Sequence, residues 1–181
     1  MEVCGTHTHE IFHLGVRKIL PPQVELISGP GCPVCVTPVG FIDEAVWLAL
    51  KKNVTICTFG ALVRVPGTEM RLAGAREKGA KIRIVYSPAD AEKYASKHPE
   101  EQVVFLSVGF ETTTPAECLS VKKAKKDGLM NYSLLMANKT MPQAYEALKG
   151  SADIFLYPGH VNAITGTELC EKLTEEGVSG V

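Results

Sequence analysis

Short, nearly unbroken apolar runs recur along the chain, each closed by a turn rich in Gly, Pro or Thr and followed by apolar residues at helical spacing. The runs predict strands at Val24–Ser28, Val54–Thr58, Ile82–Tyr86, Val103–Val108, Ser133–Ala137 and Ile154–Tyr157, with Val178–Val181 beginning another. Runs without polar alternation suit parallel strands covered on both faces. Between them, Thr8 is placed to cap a helix carrying Ile11, Phe12, Val16 and Ile19, and Ile42, Ala45, Val46 and Ala49 form an apolar stripe. Pro88 opens a helix over Ala89–Lys97, since a first turn tolerates proline. Met141, Ala144, Tyr145 and Leu148 recur up to Gly150, and Leu169 and Leu173 recur before Gly177.

Strands alternating with helices of this length predict an α/β fold of two small Rossmann-like units, each a mainly parallel sheet flanked by helices. The polar stretch Ser96–Gln102 is the expected boundary, dividing a first unit over 1–98, which carries the cysteine motifs, from a second over 99–181. The chain starts three residues before Cys4 and stops at Gly180-Val181 with no covering helix, so both ends read as cut from something longer.

Charge changes the picture by exclusion. Lys and Arg number 19 against 20 Asp and Glu, a net charge of −1. Nonspecific nucleic-acid binding runs on a basic excess that this chain lacks. No apolar run approaches the roughly 18 residues of a membrane span, and the first ten residues show no secretion signal. The expectation is a soluble, cytoplasmic protein.

Six cysteines in such a chain suggest metal or redox work rather than a disulfide framework. Sites in open α/β sheets collect in loops beyond the carboxyl ends of strands, and the unusual residues fall in those loops. Gly29-Pro30-Gly31-Cys32-Pro33-Val34-Cys35 holds a C-x-x-C pair in a shaped turn, whose sulfurs could share a metal or close a disulfide. Cys4-Gly5-Thr6-His7-Thr8-His9 adds a thiol and two imidazoles. If a helix follows, Cys4 sits near its N-terminus, which favours the thiolate. His7 and His9, each taken singly, read better as polar residues at a helix start. Arg64 and His160 are polar groups in Gly/Pro loops that could orient a ligand or serve the structure, and Glu111 is a loop carboxylate for which capping and function weigh evenly. Cys57 lies in an apolar run, and Cys118 and Cys170 lie in helical segments, so all three read as packing or surface residues. Lys122, Lys123, Lys125 and Lys126 form a solvated helix face.

The segments Cys4–His9, Gly29–Pro38, Arg64–Gly67, Gly109–Thr113 and Pro158–Val161, in this order, resemble the HypD family of nickel–iron hydrogenase maturation proteins. The resemblance runs from Cys4 to about Gly166. It implies a scaffold on which the Fe(CN)2CO group, with its carbon monoxide and cyanide ligands, is assembled in complex with a HypC-type small chaperone and a HypE-type cyanide donor. It further implies that Cys4 holds iron as a thiolate, and that Cys32 and Cys35 are a redox-active or additional iron-binding pair. Thr6, His7 and Glu111 fall on family motif positions around that site, with Arg64 and His160 as further ligand-binding candidates. Two departures stand out. Ala61 replaces the acidic residue usual in the Thr-Phe-Gly-Asp loop, and the cysteine-rich C-terminal domain that carries a 4Fe-4S cluster in the family has no counterpart here, so the cluster is expected only in the full-length protein. Two other readings remain open from the residues alone: a thiol–disulfide oxidoreductase using Cys32 and Cys35, and a structural zinc module built from Cys4, His7, Cys32 and Cys35.

Overall fold

A computed structural model describes residues 1–52 and 54–181. In chain order, helix α1 (Gly5–His13) and a 3-10 turn (Val16–Lys18) precede α2 (Val39–Lys51), β1 (Thr55–Thr58), a second 3-10 turn (Gly60–Arg64), α3 (Leu72–Glu77) and β2 (Ile82–Ile84). Then follow α4 (Pro88–Lys97), β3 (Val103–Ser107), α5 (Thr114–Lys126), β4 (Tyr132–Met136), α6 (Met141–Ala147), α7 (Gly159–Thr165) and α8 (Glu168–Glu175). No helix is long and apolar enough to cross a membrane among the described residues. The chain forms two compact units: Met1–Val36 with Thr140–Val181, and the continuous stretch Thr37–Lys139.

The continuous unit is a parallel four-stranded sheet in the order β2-β1-β3-β4. Its strands are the apolar runs read from the sequence, and Ile56, Cys57, Phe105 and Leu106 are fully buried. Cys57, Val103 and Phe105 pack with Val85, Ala91 and Ala95, and Phe59 meets Phe105 edge-on. Pro88 opens α4 as expected, with Ser87 accepting from the Asp90 N–H at 3.2 Å as its cap. Ser96–Gln102, expected as a domain boundary, lies inside this unit, where it forms the end of α4 and the turn before β3. It is polar because it is a satisfied turn. The Asn131 side-chain amide nitrogen lies 2.9–3.0 Å from the carbonyls of Ala95, His98 and Glu101. Glu101 in turn accepts from the Thr55 hydroxyl, from Tyr94 (3.0 Å) and from Lys81 (3.3 Å), bonds that hold its carboxyl below the usual range despite partial burial.

The discontinuous unit has the same strand sense with far less pairing. Glu2 bridges Ser28 and Leu156, and Phe155 bridges Gly180, all in parallel. The expected strands Val24–Ser28, Ile154–Tyr157 and Val178–Val181 thus appear as single bridges, and Met1–Val3, unread as a strand, is the segment between two of them. Tyr145 packs edge-on to Phe155 and Tyr157. Thr8 is not a cap: Cys4 is the N-cap residue of α1 and Thr8 lies inside the helix. The helix also ends earlier than its apolar spacing suggests. Gly15 takes a left-handed φ of 64°, so Val16 falls in the 3-10 turn, while Phe12 and Ile19 are exposed. His160, expected in a loop, is the second residue of α7.

Candidate functional site

The cysteine segments meet through glycine. The Gly5 N–H donates to the Gly31 carbonyl at 3.0 Å, which lays the start of α1 against the Gly29–Cys35 loop. A Cβ on Gly31 would fall on the Val3–Cys4 peptide, closer than the 3.0 Å that real Cβ atoms respect, so only glycine permits this approach. A Cβ on Gly5 would lie 3.4 Å from the Cβ of Cys32. Cys4 and Cys32 are therefore backbone neighbours across two chain segments. Cys4 is buried, Cys32 half-buried and Cys35 exposed, and all three are free thiols. Thr6 is exposed and His7 half-buried on the first turn of α1.

Glu2, which sequence reasoning missed, ties this junction together. Its buried carboxylate accepts from the Cys4 N–H at 3.2 Å and from the Thr8 hydroxyl, and Thr8 also reaches the Cys4 carbonyl at 3.3 Å. A carboxylate is at home beside a helix N-terminus, where unsatisfied N–H groups carry partial positive charge. The only signal for it was an acidic residue two positions before Cys4 in a segment too short to show a period.

Cys32 and Cys35 share one turn. The Cys35 and Val36 N–H groups both donate to the Cys32 carbonyl, at 3.1 and 3.3 Å. The Cys35 thiol hydrogen-bonds Cys32, and that bond, with burial and the neighbouring sulfur's charge, raises the Cys35 thiol above its ordinary value. The other cysteines differ. Burial pushes Cys57 up to about 12, against a nearby Arg83, which keeps it an inert core thiol. Cys118 is exposed on α5, and Cys170 reaches the Asn162 side-chain oxygen at 3.6 Å.

The remaining candidates divide between the units. His160 is exposed in the discontinuous unit. In the other unit, sheet order reverses between β1 and β3, the place where open α/β sheets bind ligands beyond their strand ends. Arg64, exposed at the end of the 3-10 turn after β1, and Glu111, half-buried in the turn after β3, follow these two strands. A polar network missed from the sequence lies alongside: Ser107 donates to Asn138 at 2.6 Å, and Asn138 donates to Thr114 at 3.0 Å and to the buried Glu117 at 2.6 Å. Among the described residues, no group of three or more His, Cys, Asp or Glu side chains is arranged to hold a metal.

The family model described as "HypD: Hydrogenase formation hypA family" matches residues 1–181. The chain belongs to the HypD family. The hydrogenase maturation factor HypD of Rhodobacter capsulatus is 43% identical over 180 residues, covering 97% of this chain and 48% of that protein. That of Escherichia coli K12 is 45% identical over 172 residues, covering 93% and 46%. The chain spans about half the length of the curated relatives it matches. The HypD resemblance seen in the cysteine, Arg64, Glu111 and His160 segments therefore extends through the whole chain, including Glu2.

Proposed function

We propose that this chain is the thiol-bearing part of a HypD-type maturation scaffold, on which iron is held as cargo while the Fe(CN)2CO group of nickel–iron hydrogenase is assembled. The observation that supports this reading is the glycine-made junction that sets Cys4 beside Cys32, with Cys35 on the same turn, its N–H donating to the Cys32 carbonyl. Thiolates suit the cargo because they donate electron density that carbon monoxide and cyanide withdraw. The iron would take Cys4 from this chain and complete its shell from a HypC-type chaperone and the diatomic ligands. A HypE-type partner would supply cyanide. Thr6 and His7, on the unit that carries Cys4, would serve as donors or orienting groups for the cyanide nitrogens. Cys32 and Cys35 would serve as a redox-active or additional iron-binding pair.

A second reading, a thiol–disulfide oxidoreductase, draws on the Cys35–Cys32 hydrogen bond alone. Iron content separates the two. In anaerobically prepared protein, Cys4→Ala is expected to abolish iron retention, while Cys57→Ala, Cys118→Ala and Cys170→Ala retain it. Equal loss across all of these variants, or full retention in Cys4→Ala with dithiol turnover intact, would overturn the scaffold reading.

A further inference from the structure

The last turns of α1 carry a group of side chains that the thiol site does not use. His9, Glu10 and His13 form the pattern H-E-x-x-H on one helix, a spacing that puts two imidazoles one turn apart on the same face. Their rings are stacked, with centroids 5.8 Å apart and planes 23° from parallel. Glu10 serves both: one carboxylate oxygen is 3.1 Å from His9 Nδ1 and the other 3.9 Å from His13 Nδ1. All three are open to solvent, the histidines 73% and 70% exposed and Glu10 52%.

We propose that His9 and His13 form a surface chelate for a late first-row divalent cation, oriented by the Glu10 carboxylate. A carboxylate at Nδ1 holds the ring proton on that nitrogen and leaves the Nε2 lone pair free, the tautomer in which histidine binds metal. Glu10 does this for His9 at 3.1 Å and lies at ion-pair distance from His13 Nδ1, 3.9 Å, so the oriented ring is one member of the stacked pair. Metal–imidazole bonds of about 2.0–2.1 Å require the rings to draw closer, which side chains this exposed can do by small rotations. Two imidazoles with water in the remaining positions suit copper, nickel or zinc rather than magnesium or calcium. The last turn of a helix also favours positive charge. Among the described residues no third protein ligand is assembled beside the two imidazoles. His9 and His13 lie five and nine residues beyond Cys4, about 7.5 and 13.5 Å along the helix axis at 1.5 Å per residue.

The test is nickel titration of the tag-free Cys4→Ala chain after alkylation of its accessible thiols, followed by calorimetry. One nickel ion per chain is expected. His9→Ala and His13→Ala should each lose this binding, and Glu10→Gln should weaken it by up to roughly tenfold. Alanine favours the helix at both positions, so the variants should keep α1, checked by circular dichroism. Histidine nitrogen NMR on the metal-free chain is expected to show the proton of His9 on Nδ1. Unchanged nickel binding in either histidine variant, or no stoichiometric binding to the alkylated Cys4→Ala chain, would overturn the chelate. The Cys4 substitution and alkylation of Cys32 and Cys35 together remove the iron-holding thiols, so this result stands or falls apart from the scaffold reading.

Discussion

The two units build parallel strands by different means. In the continuous unit, β1, β2, β3 and β4 pair over three to five residues each, and the strands bury apolar side chains such as Ile56 and Phe105. In the discontinuous unit, the strand segments meet in single bridges, and the tightest junction is a contact between backbones at Gly31 and Val3–Cys4. The first arrangement spreads its stability over many interchangeable apolar contacts. The second concentrates specificity in one position where no side chain fits. That is how a thiol pair and a helix-capping cysteine can be set side by side without a long strand to carry them.

The comparison is sharpened by breaking each unit by its own means. Phe105→Ala removes a fully buried ring from the sheet core and should cost about 3–5 kcal/mol, read as a lower urea midpoint. If the cost were under about 1 kcal/mol, the sheet core would not be the source of that unit's stability. Gly31→Ala adds one methyl group, yet it should cost about 1–3 kcal/mol by overpacking against the Cys4 peptide. It should also expose the Cys4 thiol to alkylating reagent. A stable variant with Cys4 still protected would show that the junction is looser than the structure has it.

The smallest effect concerns pH. Cys57 has its ionisation raised from 9.0 to about 12 by burial. Its folded value lies above the unfolded one, so the stability it contributes is complete below pH 9 and is lost as pH rises towards 12. Replacing Cys57 with Ala should remove that component, at most about 1.4 kcal/mol per pH unit for one proton. An alkaline stability slope identical in Cys57→Ala and wild type would show that the thiol ionises as freely in the folded chain as in the unfolded one.

Legibility in the sequence follows the same division. Val103–Val108 and Val54–Thr58 were readable as strands because a buried parallel strand is apolar on both faces, and β3 and β1 occupy nearly those bounds. The Pro88 helix was readable because its cap chemistry is local. Ser96–Gln102 misled because a polar turn and a polar linker have the same composition, and only the Asn131 amide, distant in sequence, distinguishes them. Met1–Val3 was invisible because three residues show no period, and α3 and α7 were missed because they bury only Leu72 with Ala75 and Val161, too few to form an apolar stripe. The site was legible as motifs, through Cys4, Cys32 and Cys35. Their juxtaposition was not, because Gly31 reads as a turn residue until the segment pressed against it is known. Glu2 and Asn138 act through partners that no local pattern records.

The central claim is that Cys4, beside the Cys32–Cys35 loop, holds an iron that carries cyanide and carbon monoxide. Infrared spectroscopy of the chain purified anaerobically with its maturation partners tests it most directly. The account predicts carbon monoxide and cyanide stretching bands that persist in Cys118→Ala and vanish in Cys4→Ala. Bands of equal strength in both variants, or none in the wild-type complex, would contradict it.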